Sequence, residues 1–200
     1  MLLVPLSTTS DSSTVTATAA GLGGALVRGL LYLFTSSTNC WIRQGTGKLI
    51  TCVTKANLVD TDFITIVHPS VTKIYEFDTA GNGVTAGRVQ VNVSADTTAA
   101  NVAARLRTAI LANQATLEVT DNTDGTLTVV GPDVVVTITE NVANAGFLVA
   151  AAVVTTTAAD GSMYVPAGTS VALTGDRGPQ VGVLRDTADG KASLTQVSRL

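Results

Sequence analysis

Apolar and polar positions along the chain follow a period of two in most places and a period near four in one. From Leu30, Leu31 and Leu33 alternate with Tyr32 and Phe34, Cys40-Trp41-Ile42 leads to Gln44-Gly45-Thr46-Gly47, and Leu49 to Val53 returns. This predicts a β-hairpin or meander over 30–54 with its turn at the two glycines. Further on, 63–67 and 72–77 read as strands, followed by a turn from Asp78 to Gly83. In Arg88 to Val93 the three valines fall on one face and the polar residues on the other. The period then lengthens: Val102, Leu106 and Ile110 recur every four residues, flanked by Ala99, Ala103 and Ala109, which predicts an amphipathic helix capped by Asp96 or Thr97. Strands at 117–119, 126–130 and 134–138 follow, broken by Asp124-Gly125 and Gly131-Pro132.

After Ala158 short apolar pieces alternate with dense turn signals, leaving strands at 163–165, 171–173, 181–184 and 192–197. The opening and closing regions are each too short to bury a core, while together they supply enough strands for one barrel. The expected fold is mainly β: a discontinuous small β-barrel or sandwich built from 30–54 and 158–200, interrupted at a loop tip by an α+β domain, 55–157, of antiparallel sheet plus one helix. Residues 1–29 precede it. Because Ser7 to Ala20 is Ser, Thr and Ala with no apolar period, that segment is expected to be an extended or flexible N-terminal arm lying on another surface.

Composition narrows the function. The chain is 46% hydrophobic, 14% charged and 4% aromatic, with 12 Lys+Arg against 15 Asp+Glu and a net charge of −3. A slightly acidic chain with scattered cations offers no basic face for phosphate contacts, so no nucleic-acid partner is expected. A mean hydropathy of +0.38 argues against disorder. The N-terminus lacks the basic lead-in of a secretory signal, and the apolar runs 21–34 and 143–154 are shorter than the ~20 residues a membrane helix needs, so neither export nor a membrane partner is expected. A surface built for solubility carries roughly a quarter to a third charged residues. This chain cannot supply that, and large contact surfaces are the expectation.

Candidate chemistry is sparse. His68 is the one histidine, at a strand end before Pro69-Ser70, and no G-x-S-x-G elbow offers it a nucleophile. Cys40, Cys52 and His68 lack a fourth ligand and the close cysteine spacing of a zinc site. A hairpin would bring the two cysteines together, either as a disulfide or, as a reducing compartment favours, as two buried free thiols. Asp121, Asn122, Asp124 and Asp133 form an oxygen-rich stretch without the calcium-loop pattern, and turn formation accounts for the same residues. Gly21 to Gly24 and Gly81-Asn82-Gly83 do not join a strand to a helix as phosphate loops do. No catalytic residue, metal or cofactor is expected. Trp41 would be a core residue or, if exposed, an interface anchor, with Tyr32, Phe34 and Tyr164 as its companions.

The outer pieces, Phe34 to Ile42 with Cys40-Trp41-Ile42, then Met163-Tyr164-Val165-Pro166-Ala167-Gly168, Gly182 to Asp186 and Ala192 to Thr195, resemble the small β-barrel structural proteins of tailed-bacteriophage particles. The middle piece, with Lys73 to Phe77, Arg88 to Val93, Asp96 to Ile110 and Thr126 to Val130, is similar to the strand–strand–helix–strand modules inserted into phage head and tail proteins. The resemblance implies a non-enzymatic virion protein, synthesised in the host cytoplasm and carried on the capsid surface as a decoration or cement protein. Its implied partners are the major capsid protein or neighbouring virion proteins and further copies of itself, a trimer being favoured. A head–tail connection or tail component, or a host-surface or glycan-binding β module, are the alternatives.

Overall fold

Alternating side chains leave every backbone amide and carbonyl of an extended segment free for a neighbour, and pairing of such segments accounts for most of this fold. The structure, a computed structural model, describes residues 3–5, 11–16, 20–22, 26–27, 29–69, 71–154, 156 and 162–199. In chain order the strands are β1 (Leu3–Pro5), β2 (Asp11–Val15), β3 (Ala20–Gly21), β4 (Leu31–Ser36), β5 (Cys40–Thr51), β6 (Phe63–His68), β7 (Val71–Asp78) and β8 (Val89–Asn92). After the helix α1 (Ala99–Asn113) come β9 (Glu118–Asp121), β10 (Thr126–Pro132), β11 (Thr137–Asn141), β12 (Leu148–Ala152), β13 (Met163–Val165), β14 (Ser170–Thr174), β15 (Gln180–Arg185) and β16 (Gly190–Arg199). The fold is mainly β with one α-helix among the described residues.

Contacts divide the chain into two units. The first holds Met1–Thr46, Pro132–Val135 and Val153–Leu200, the second Gly47–Gly131 and Val136–Ala152. The division runs inside β5 at 46/47, whereas the sequence pattern places it at 54/55; the chain re-enters the first unit at 132–135 and returns to it finally at 152/153, against the expected 157/158.

In the first unit β16 pairs antiparallel with β4 along Ala192–Val197 and, on its other edge, with β2 and β1, while β14 lies on the far edge of β4. A second sheet runs β3, β15 and the first half of β5, with β13 on the opposite edge of β5. Side chains from both sheets share one core, including Phe34, Leu173 and Leu194 from one and Ile42, Val165 and Val183 from the other. The segment 1–29 is therefore not a free arm where it is described. Asp11–Val15 is a strand of this unit, and Val15 is fully buried. Backbone pairing at a sheet edge needs no apolar period, which is why a Ser/Thr run gave no signal. Residues 6–10 and 17–19 of the expected arm lie outside the described residues.

The predicted turn at Gln44 to Gly47 is absent, because Cys40–Thr51 is one continuous strand. Gln44 and Thr46 are buried: Gln44 Nε2 donates to the carbonyls of Thr174 and Gly178, and Thr46 Oγ1 donates to that of Val134. Gly178 serves close approach, since a Cβ built there would lie 2.5 Å from the Gly45 carbonyl. Without the hairpin nothing brings Cys40 and Cys52 together, and both are buried free thiols.

In the second unit the sheet order is β11, β6, β7, β8. The pairs are antiparallel except the last, where β8 lies parallel to β7 with Tyr75 opposite Val89. The loop 79–88 therefore doubles back along β7, a short return for a parallel pair, which usually needs a longer crossover. Helix α1 turns Val102, Ala103, Leu106 and Ile110 inward, the predicted stripe. Its N-cap is Thr98, whose Oγ1 accepts from the Asn101 N–H at 3.2 Å, rather than Asp96 or Thr97. Asp96 is instead buried, with Arg105 Nε 3.4 Å from its Oδ2. Phe77 and Phe147 meet edge to face with centroids 5.7 Å apart in the same core. The strand expected over 134–138 begins only at Thr137.

Candidate functional site

Two surface features carry recognisable chemistry, one in each unit. In the first, the short β13 pairs with the start of β5, placing Met163 opposite Ile42, Tyr164 opposite Trp41 and Val165 opposite Cys40. Alternation puts Trp41 and Tyr164 on the same face of this ladder. Their ring centroids are 5.1 Å apart at a tilt of 59°. Trp41 is half-buried, while Tyr164 and Met163 are exposed. Burial and then the nearby Asp186 carboxylate push the Tyr164 phenol above its ordinary value. The Trp41 indole N–H is enclosed and has no acceptor among the described residues.

Beside this ladder lies a cleft of about 240 Å³ lined by Ile42, Leu173 and Met163 on its apolar side and by Arg43, Arg177 and Asp133 on its polar side. Arg177 and Asp133 form a loose, exposed ion pair at 3.8 Å. Gln44 and Ser162 complete the lining, so the cleft offers cationic, hydroxyl and apolar contact.

In the second unit the apolar run 143–154 becomes β12, Leu-Val-Ala-Ala-Ala, which pairs with Gly47–Thr51 of β5 along one edge. The strand faces outward: Leu148 is 55% exposed, and Ala150 and Ala151 are exposed with it. It carries no charge, and its other edge pairs with no strand among the described residues.

The remaining polar groups are engaged in local structure. Asp124 Oδ1 accepts from the Thr126 hydroxyl and N–H at 2.7 and 2.9 Å, which together hold its carboxyl below the usual range. Asp121 Oδ1 accepts from the Thr123 N–H at 2.8 Å, closing the same turn. His68 ends β6 as a half-buried residue, and no cluster of three metal-ligating side chains occurs among the described residues. Burial raises the Cys40 thiol, and burial followed by the Asp121 charge pushes Cys52 up to about 12, so both are held as neutral thiols.

Of the four expected interface residues, Trp41 and Tyr164 come together at the surface. Tyr32 and Phe34 do not join them: both point inward from β4, Phe34 is fully enclosed, and the Tyr32 hydroxyl accepts from the Val27 N–H at 2.9 Å. The alternation in Leu31-Tyr32-Leu33-Phe34 is apolar on both faces, and the face with the larger aromatic area took the core. The uncovered β12 was not foreseen as a contact surface, although its run of five uncharged residues was visible in the sequence.

No family model matches the chain, and no curated protein matches it. Among solved structures it is similar to domains D1–D3 of the flagellar cap protein FliD from Escherichia coli, at 9% identity and a TM-score of 0.34, over 96% of this chain and 56% of that one. It is also similar to the D2–D3 domains of the flagellar cap protein from Escherichia coli, at 11% identity and a TM-score of 0.31, over 94% of this chain and 98% of that one. Likenesses this distant carry no argument about what the chain does.

Proposed function

We propose that the chain is a non-enzymatic structural protein of a tailed-bacteriophage particle, a capsid decoration protein that binds the head lattice and associates with copies of itself. The observation that carries the contact role is β12. Folded proteins blunt sheet edges with charge, proline or a covering element, and an exposed, uncharged apolar edge is a template for pairing with another chain. The phage assignment rests on the sequence resemblance, whose two key pieces, Cys40-Trp41-Ile42 and Met163-Tyr164-Val165, lie in register on one ladder. That ladder adds an aromatic pair suited to anchoring a partner, since Trp and Tyr carry much of the energy of protein interfaces. Many such weak contacts sum across a lattice by multivalency.

The test is to add the purified chain to heads that lack it, pellet them, and count bound copies by cryo-electron microscopy. Occupancy at symmetric head positions, reduced by Ala150→Lys on β12 and by Tyr164→Ala, is the expected result. Binding confined to a few copies at the tail, or none at all, overturns the decoration role.

A further inference from the structure

Asn82-Gly83 is the one Asn-Gly step in the chain. It lies in the loop between β7 and β8, and both residues are exposed. Without a side chain on the following residue, the Gly83 backbone nitrogen can approach the side-chain carbonyl carbon of Asn82 with less hindrance than at any other asparagine here. Gly83 has φ +97°, and a Cβ built there would meet nothing within 4 Å, so the site is open to water. The reaction open to it needs no partner but water. The Gly83 nitrogen loses its proton and bonds to the Asn82 side-chain carbon, and the carbon–nitrogen bond to the amide breaks. The leaving nitrogen takes up a proton and departs as ammonia, leaving a five-membered imide. Water then opens the imide at either carbonyl, giving aspartate or isoaspartate.

What sets this step apart is Asp78. Its side chain is 1% exposed, and it gathers the loop's donors: Oδ1 accepts from the N–H groups of Gly81 at 2.6 Å and Asn82 at 3.1 Å, and Oδ2 from the Gly83 N–H at 3.1 Å and Gln90 Nε2 at 2.6 Å. The proton that must leave Gly83 is thus held by a carboxylate, and negative charge beside that nitrogen disfavours the amide anion. Ring closure also swings the nitrogen away from Oδ2, so the loop must open first. The geometry points to Asn82-Gly83 as a self-modifying site whose conversion to aspartate or isoaspartate is timed by Asp78. Conversion to isoaspartate inserts an extra carbon in the backbone, so the three N–H groups can no longer converge on one carboxylate. It also adds a negative charge to a loop whose base is held by Asp60 and Asp78.

The experiment incubates the full chain at physiological temperature and pH and follows Asn82 by mass spectrometry. The tryptic peptide from Ile74 to Arg88 contains no other amide side chain. Conversion in the native protein is expected to run roughly ten- to a hundredfold slower than in the urea-unfolded chain, the factor by which a hydrogen bond to a charged acceptor suppresses the opened loop. Asp78→Ala brings the native rate to that of the unfolded chain. Gln90→Ala, on the exposed side of β8, keeps the three backbone bonds to Asp78 and gives an intermediate rise. A native rate equal to the unfolded one overturns the proposal, as does faster loss at another asparagine or an unchanged rate in Asp78→Ala that retains its circular dichroism. Should Asp78→Ala not fold, an unchanged rate in Gln90→Ala overturns it alone.

Discussion

Replacing Arg88 by methionine removes the only cation paired with Glu76 among the described residues, while leaving apolar volume over Phe63. Glu76 is 3% exposed; Arg88 Nη1 donates to its Oε2 at 2.7 Å and the Thr85 N–H to its Oε1 at 3.1 Å. The Arg88 guanidinium also sits 4.3 Å from the Phe63 ring centroid. Taking one partner from a buried ion pair typically costs about 3–5 kcal/mol, because the other charge stays buried and uncompensated. Arg88 keeps a side-chain exposure of 25%, so part of the attraction is already screened, and the expected cost of Arg88→Met is about 3 kcal/mol, the lower end of that range. Glu76→Gln should cost less, about 1–2 kcal/mol, since the amide still accepts from Thr85 and Arg88 can turn to water. The double variant removes both charges and should be more stable than Arg88→Met alone. Urea unfolding followed by far-ultraviolet circular dichroism measures all three, with an unchanged m-value as the check that the same surface is exposed. If the two single costs merely add, or Arg88→Met costs under about 0.5 kcal/mol, Arg88 does not compensate the buried Glu76 charge.

Cys52 should resist alkylation in the native protein at mildly alkaline pH and react once the chain is unfolded. Its folded thiol stays protonated up to about 12 while the unfolded one ionises near 9.0. The folded state then holds more protons over that window, so this stability is complete below the lower value and falls by about 1.4 kcal/mol per pH unit above it. Cys52→Ala should remove that part of the slope in alkaline urea titrations. Gly182→Ala should be severe, because its Cβ would lie 2.2 Å from the Val154 carbonyl oxygen and 2.3 Å from Thr156 Oγ1. Overpacking against backbone costs about 1–3 kcal/mol or more, and a thermal midpoint equal to wild type would show that the segment gives way. Trp41→Phe removes an enclosed indole donor that bonds to no described acceptor, so it should cost under about 1 kcal/mol or stabilise, whereas a larger loss would mean that the indole N–H has an acceptor.

What the residue pattern revealed and what it hid follow the range of the interactions involved. Strands β6, β7 and β10 and the inward stripe of α1 were legible because each needs only its own side chains to point alternately, or every fourth residue, to one core. The continuity of β5 was not, because Gly45 and Gly47 carry the same local signal in a turn as in a strand. What decides is β15, more than a hundred residues away, which pairs with Cys40 through Gly45 and holds that stretch extended. With the hairpin goes only the closeness expected of Cys40 and Cys52; the two buried free thiols that a reducing compartment favours are what the structure holds. The Ser/Thr run at Asp11–Val15 hid in the same way, since its partner β16 lies at the other end of the chain.

The proposed contact surface divides along the same line. Trp41 and Tyr164 could be named from their chemistry, but that they meet depends on β13 returning to β5 after the whole second unit has been built. β12 was named as an apolar run and, by its composition alone, would be assigned to a core. Only the fold shows that its residues face outward, with one edge paired. An uncharged strand in that position gives up solubility for no gain in the isolated chain, and the gain is recovered only when a second surface covers it. That asymmetry separates a contact role from a packing accident: Ala150→Lys should leave the unfolding free energy of the isolated chain within about 0.5 kcal/mol of wild type, as at other exposed positions, while reducing association. If the substitution unfolds the chain instead, β12 is a packing strand and the contact surface lies elsewhere.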